Sequence, residues 1–396
     1  RPSGNEVPGR SGIRLPGLGN SIPKRSGMSD VNRKKDIMNL KSFFVFLALY
    51  WTLPSSATCP DSINHNLQDY QYLTQFTEAN LATFPYINEM YGKQYRKHKK
   101  AIRKHLLKGQ DIETATCDYV FWFFSQFDTH FIVDRHKFWQ EYDRKVHTKY
   151  KEKMEYNPQP LACMVDSDTY LVRIPSCGGQ NPTFAWVDSV AQVYKKTDCP
   201  YLILDIRGNT GGNDAIWEPF FEILADHKPT KSWKVLFRCS PANIDVLMKQ
   251  GNITLAEKAK ISKSQFIPLN EEENDEEITF LPSKFIKVAI LVDNRTASSG
   301  ETLVRFTKDY CNRGKIYGQD NTSGANLSGN VTPFQLPHSG ITCYYPTCVD
   351  EDFALQIKNR KPGIRSDVKI PIPLPDTLKD NVDTWVVWVA RHLKTN

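Results

Sequence analysis

From residue 161 onward the chain alternates short, strongly apolar runs with segments of helical periodicity, and this alternation restricts the folds open to it. "TYLVRIP" (169–175), "YLILDIRGNTGG" (201–212) and "FIKVAILVD" (285–293) have the texture of buried strands, rich in Val, Ile and Leu. Between the first two, "TFAWVDSVAQVYKKT" (183–197) puts Phe184, Val187, Val190, Ala191 and Tyr194 on one helical face. Further helices are expected from Trp217 to Leu224 and from Thr384 to Leu393. Strands without polar alternation, separated by amphipathic helices, predict an α/β domain with a largely parallel sheet. Residues 231–280 read as less regular, with "NEEENDEE" (270–277) as an acidic exposed loop.

Residues 60–160 have a different texture. Long polar and aromatic stretches with few Gly or Pro, such as "INEMYGKQYRKHKKAIRKHLLKG", read as helices, and the basic run from Arg96 to Lys108 reads as a solvated helix face. The layout expected is therefore residues 1–57 as an upstream segment plus signal peptide, 58–160 as a helical N-terminal domain, and 161–396 as the α/β domain.

The formal charge of +7 is unevenly placed. Residues 1–59 carry nine Lys/Arg against three acidic residues, so the remainder is close to neutral and offers no electrostatic case for nucleic acid. An apolar run from Phe43 to Leu53, ahead of Ser55 and Ala57, makes Met38–Ala57 read as a signal peptide; it is short for a membrane span of about 20 residues. The chain is thus expected to be secreted or extracytoplasmic, with an uncleaved anchor, or a lipid on Cys59, as the alternative. Export permits disulfides among the nine cysteines, and the five-residue step from Cys343 to Cys348 suits a local bridge better than zinc. Sequons at Asn252, Asn294, Asn321, Asn326 and Asn330 would accept glycans on a eukaryotic secretory route.

Two stretches carry the chemistry. "DNRTASSGETL" (293–303) follows a buried strand and enters a helix-like segment. Ser298 and Glu301 match the S-x-x-E capping box, so a capping role is the local reading of Ser298. The same position, at the C-terminal end of a strand and the start of a helix, also exposes a side chain beside unpaired N–H groups, where the Ser299 N–H is able to face an oxyanion. "DIRGNTGG" (205–212) supplies a second turn in which Gly211 and Gly212 permit close approach of backbone to ligand and offer N–H donors. A serine hydroxyl needs a base and such donors to act as a nucleophile.

In this order the two motifs resemble the tail-specific or C-terminal processing serine protease family and its relative, the tricorn core, which carry "DLRxNxGG" and then "TASxSE". The matching residues are Asp205, Arg207, Asn209, Gly211 and Gly212, then Thr296, Ala297, Ser298, Ser299 and Glu301. "KDYCNRGKIYG" (308–318) and "PGIRSDVKI" (362–370) extend the likeness over residues 161–396. The resemblance implies a crotonase/ClpP-like catalytic domain of repeated strand-strand-helix units, a serine endopeptidase acting on proteins or peptides, and no cofactor. It places the nucleophile on Ser298 and the oxyanion hole at Gly211, Gly212 and Ser299.

The base divides the family. Members with a Ser/Lys dyad carry a lysine in the loop that here reads "NTSGAN" (321–326), which has none. The other subgroup takes a histidine from the N-terminal part, and "FFSQFDTHFIV" (123–133) offers Asp128 and His130 in that context. An imidazole there serves as general base to Ser298 and then as acid to the leaving amine. The acid that orients the histidine departs from the pattern, because Arg360 or Lys358 falls where a Glu is expected; Glu351 is the candidate among the nearest carboxylates, Asp350, Glu351 and Asp352. The remaining histidines form no metal-ligand pair, so no metal is expected. The alternative function is a non-catalytic ligand-binding or pseudo-protease module on the same fold.

Overall fold

The computed structural model describes residues 60–151, 153–228, 233–269, 286–359 and 363–395. The expected signal peptide, Cys59 and the acidic stretch 270–277 lie outside them. Among the described residues no helix is long and apolar enough to cross a membrane.

The N-terminal part forms α1 (Pro60–Asn80), α2 (Phe84–Leu106), α3 (Ile112–Tyr119), a π-helical turn at Val120–Phe124, β1 (Ile132–Val133), α4 (His136–Lys151) and β2 (Glu155–Tyr156). Then follow β3 (Leu161–Met164), β4 (Thr169–Arg173), α5 (Phe184–Lys196), β5 (Tyr201–Asp205), a 3-10 turn at Asp214–Trp217, and α6 (Glu218–Leu224). Residues 235–268 hold β6 (Val235–Arg238), α7 (Pro241–Lys249), α8 (Ile253–Ile261) and β7 (Phe266–Pro268). The chain closes with β8 (Lys287–Leu291), α9 (Ser299–Tyr310), β9 (Gly314–Gly318), β10 (Ser328–Gln335), β11 (Thr342–Asp350), α10 (Phe353–Asn359), β12 (Val368–Lys369), β13 (Thr377–Leu378) and α11 (Thr384–Thr395).

The expected sheet is present: six strands in the order β12-β9-β8-β5-β4-β3, parallel except where β3 meets β4. Its residues alternate between two dry faces, which explains the unbroken apolar runs. Leu171, Ile203, Ala289 and Leu291 pack against Trp385, Val386 and Val389 of α11. Their neighbours Val172, Leu202, Leu204, Val288 and Ile290 pack against α5, α6 and α9. Within the stretch 231–280, the described residues 233–269 are more regular than their sequence suggests. Their helices have nine residues each, too short to show periodicity, yet Ser240 caps α7 ahead of Pro241, and Gly251, at φ +79°, follows its last turn.

A second, antiparallel sheet is built on β11, with β10 along one edge and β1 and β6 sharing the other; β7 continues from β6. The N-terminal helices dock on it: Phe76 stacks on Phe334 at 4.0 Å and meets Tyr345 edge-on at 5.0 Å. One apolar core thus joins α1 to α3, the π-helical turn and this sheet.

The eight described cysteines are free thiols. The local Cys343–Cys348 bridge is ruled out by geometry. Both lie in the same extended strand, where five steps separate Cα atoms by about 16 Å and put the side chains on opposite faces.

At the C-terminal end of the parallel sheet lies a buried ion quartet. Arg173, the last residue of β4, donates through Nε to Asp205 Oδ2 (2.7 Å) and through Nη2 to Asp383 (3.1 Å). Arg207 binds the same two carboxylates, at 2.7 Å each through Nη2. Arg173 Nη1 also donates to the carbonyls of Lys379 and Asn381. Burial works to raise the Asp205 carboxyl, but Arg207 and Arg173 hold it down to about 2. Replacing Arg173 by Met leaves two buried carboxylates to one guanidinium, and urea unfolding should show a loss of about 3–5 kcal/mol. A loss under about 1 kcal/mol would mean that the quartet relaxes without its fourth member.

Candidate active site

β5 and β8 are adjacent and parallel, so the turns that leave them, 206–212 and 292–298, emerge side by side. Several contacts lock them together. The buried Asp293 carboxylate accepts from the N–H groups of Gly208 (3.1 Å), Arg295 (3.0 Å) and Thr296 (3.1 Å), and from the Tyr156 hydroxyl. The Ala297 N–H donates to Asn209 O at 2.9 Å, and the Thr296 hydroxyl to Ile206 O at 3.1 Å. The two glycine-and-serine motifs are therefore one structural unit.

Ser298 occupies the N-cap of α9 with φ 52° and ψ −120°. That backbone region favours glycine, and only one other described non-glycine residue, Asn330, has positive φ. Ser298 both caps and points outward from the helix. Its N–H donates to Glu301 Oε2 at 3.2 Å, while its Oγ stands 3.0 Å from His130 Nε2. The Glu301 carboxyl is fully buried and accepts from Gly324 N (2.8 Å), Ala325 N (2.6 Å) and the Thr322 hydroxyl. Burial pushes it up to about 7 against the pull of those donors. The 322–325 loop, without its lysine, is thus pinned to the residue that holds the Ser298 backbone.

Gly211 and Gly212 are required by close approach. A Cβ on Gly211 would lie 2.6 Å from Ser298 Cβ, and one on Gly212 would lie 2.3 Å from the Cys177 carbonyl. Their φ values, +99° and +143°, add to that requirement. Their N–H groups differ, however. Gly211 donates to its own turn, to Asn209 Oδ1 at 2.9 Å, which corrects the expectation that it is a free oxyanion donor. The Gly212 and Ser299 N–H groups have no acceptor among the described residues. Ser299 is held by Trp217, whose indole donates to its carbonyl (2.8 Å) and its Oγ (3.1 Å).

His130 arrives from the other side, on the turn between the π-helical segment and β1. It is 8% exposed, and both ring nitrogens are engaged. Nε2 meets Ser298; Nδ1 meets Ser328 Oγ at 2.9 Å. The Ser328 hydroxyl in turn donates to Asp128 Oδ1 at 2.8 Å. Asp128 also accepts from the His130 N–H (3.0 Å) and the Thr83 hydroxyl (2.7 Å). Donor bookkeeping gives this chain one direction. Ser328 has a single proton and gives it to Asp128, so it accepts from Nδ1–H, and the Nε2 lone pair is left for the Ser298 hydroxyl. Burial lowers the pKa of His130, and the Asp128 charge partly restores it.

Glu351 does not stand behind this imidazole. Its N–H donates to Lys234 O across the β11–β6 edge, and both ring nitrogens are occupied by serines. Asp350 pairs with Arg305, and the Asp352 N–H turns back onto Asp350. The carboxylate linked to the ring is Asp128, through Ser328. Sequence reasoning passed over Ser328, which it met only as the last residue of the Asn326 sequon. Nothing in spacing relates residues 128, 130 and 328; only the pairing of β1 and β10 with β11 does. Among the described residues no group of His, Cys, Asp and Glu is placed to hold a metal.

The conformation of Ser298 has a measurable cost. Ser298→Gly and Ser298→Ala both remove the hydroxyl, but only glycine fits φ 52° without strain. Strain of about 1–3 kcal/mol is relieved, less about 0.5–1 kcal/mol for the freer unfolded chain. In matched denaturation curves the glycine variant should be the more stable by about 1 kcal/mol; equal stability would show an unstrained turn.

Residues 168–370, just over half of the chain, match the model of peptidase family S41. No curated protein matches the chain. Among solved structures, the crystal structure of mature CPAF is similar, with 13% identity and a TM-score of 0.50 over 79% of this chain and 93% of that one. A lipoprotein from Streptococcus agalactiae (18% identity, TM-score 0.41) aligns over 88% of this chain and 99% of its own. A putative peptidase from Parabacteroides merdae (13%, 0.45) aligns over 78% and 90% respectively. With the paired motifs at the ends of β5 and β8, the mixed α/β fold and the matching family model, the chain belongs to peptidase family S41 and is a serine-type peptidase.

Proposed function

We propose that the chain is an endopeptidase of the Ser-His type, in which Ser298 attacks the scissile carbonyl and His130 Nε2 takes its proton. The observation that carries this reading is the one-way hydrogen-bond chain Ser298–His130–Ser328–Asp128, which presents the imidazole in the tautomer a general base needs. The imidazolium formed in the attack gives its proton to the leaving amine, and water then repeats the cycle on the acyl-enzyme. Ser328 and Asp128 are positioning residues: they fix the ring and stabilise its charged form without touching substrate. The Gly212 and Ser299 N–H groups, free of acceptors among the described residues, are the donors for the tetrahedral oxyanion.

Secretion belongs to the same proposal and rests on the sequence of Met38–Ala57 alone. The layout of a helical region to residue 160 followed by the peptidase domain is proposed with it. In that layout the helical region supplies the base and the sheet supplies the nucleophile. The substrates are proteins or peptides.

A fluorophosphonate probe should label the wild-type chain at Ser298, and hydrolysis of casein should fall about a millionfold in Ser298→Ala or His130→Ala. Labelling that survives Ser298→Ala would refute the assignment, and saturable ligand binding without labelling would favour the binding-module alternative.

The positioning residues have their own signature. Ser328→Ala should lower kcat/KM by about 10–100-fold, as loss of an orienting partner does elsewhere. Because burial lowers the pKa of His130, the acid limb of kcat/KM should lie below the ordinary histidine value of 6.5. Asp128 raises that pKa, so Asp128→Asn should move the limb to still lower pH while reducing the maximum. A limb that stays in place would disconnect Asp128 from the base.

A further inference from the structure

Asp214 is a buried carboxyl that the mechanism above leaves unused. It lies two residues beyond Gly212, at the start of the 3-10 turn whose Trp217 grips Ser299. The residue is 8% exposed, and neither carboxyl oxygen has a hydrogen-bond partner among the described residues. The hydroxyls of Ser299 and Thr302 lie close enough to pull its pKa down against burial, without reaching good hydrogen-bond geometry. A buried carboxylate with two imperfectly placed hydroxyls and no counter-ion is costly to ionise in such a place.

We propose that Asp214 is a positioning residue of the oxyanion site, held there as the neutral acid, and that its ionisation places a negative charge beside the Gly212 and Ser299 N–H groups and suppresses acyl transfer. The inference rests on the assignment of those two N–H groups as oxyanion donors. Its physical content is electrostatic. Donors preorganised for a developing oxyanion lose their advantage when a second negative charge sits against the same wall. As the neutral acid the residue also gains a donor, which Ser299 or Thr302 is able to accept.

Among the described residues, the surroundings supply no positive charge to Asp214. From α9 the neighbours are Ser299 and Thr302, while Glu301 of the same helix is turned to the 322–325 loop. From the segment after β4 comes the Cys177 thiol, which burial pushes up to about 12 with Asp214 adding to the shift. On α6, Glu218 is exposed and Glu222 pairs with Lys195. His130 lies across Ser298. Burial accordingly pushes the Asp214 carboxyl up to about 7.

The test compares wild type with Asp214→Asn, which is neutral at every pH. Two readouts are taken from pH 4 to 9: the rate of fluorophosphonate labelling of Ser298, and the thermal midpoint. In wild type the labelling rate should fall about tenfold on the alkaline side of pH 7, whereas the Asn variant should hold within about twofold of its own maximum. The linkage has a definite sign. A carboxyl whose folded pKa is raised contributes stability that is full below its unfolded value of 3.8 and is lost as pH rises through about 7. The wild-type midpoint should therefore decline relative to the Asn variant between pH 4 and 8. An alkaline limb that persists in Asp214→Asn, or a midpoint difference that is flat with pH, overturns the proposal. Should the Asn variant not fold, Asp214→Ser serves as the second neutral variant, and a wild-type chain whose labelling shows no alkaline limb overturns the proposal by itself. Wild type unlabelled at any pH would refute the peptidase assignment and the proposal with it, whereas labelling without the limb removes the proposal alone.

Discussion

Two guanidinium groups and two carboxylates, all buried, fix the end of the parallel sheet from which the turn carrying Ser298 departs. Arg173 and Asp205 are register partners on β4 and β5, Arg207 begins the glycine turn, and Asp383 caps α11 through the Trp385 N–H at 2.9 Å. Such an arrangement is weak evidence for stability, since desolvating four charges offsets most of their attraction. What it imposes is position. All four carboxylate oxygens and most of the guanidinium N–H directions are committed, so β4, β5, the glycine turn and the start of α11 have one relative placement. The 292–298 turn inherits that placement through Asp293 and Asn209, and Ser298 inherits it from the turn.

The site therefore rests on a rigid half and a complementary half. On the rigid side, the unfavourable backbone of Ser298 is held by the Glu301 carboxylate and by Gly211, which packs against it. On the other side, His130 is carried by a turn flanked by Phe124, Phe131 and Val133, which belong to the core of the N-terminal helices and the antiparallel sheet. The imidazole crosses between them. Both of its nitrogens meet serine hydroxyls, so the ring bridges the turn after β8, which holds Ser298, and β10, which holds Ser328.

Much of this was legible in the chain. The apolar runs that ended in "DIRGNTGG" and "DNRTASSGETL" became adjacent parallel strands, because residues buried on both faces leave an unmistakable pattern. His130, singled out from the D-x-H context, stands within hydrogen-bond reach of Ser298. The errors have a common cause: the sequence shows which groups are present, not which donors are already spent. Gly211 looked equal to Gly212 until the Asn209 side chain claimed its N–H. Glu351 looked suitable because it was an acid in the expected stretch, whereas the ring is reached by a hydroxyl from β10, 198 residues away. The cysteine pair failed for a simpler reason, since five residues make a short loop but a long strand.

The division of the site between two cores makes its assembly sequential in a chain synthesised from its N-terminus. The Thr83–Asp128 contact and the π-helical turn can form early, but they pack onto β10 and β11 and close onto Ser328. Ser298 and its glycine support complete the parallel sheet only after β8 has added to β5. Until residue 328 is in place, the His130 ring is not held between the Ser298 and Ser328 hydroxyls, so the proposed nucleophile and base are brought together only late in synthesis. The order of assembly follows from the distance along the chain between the groups that must meet.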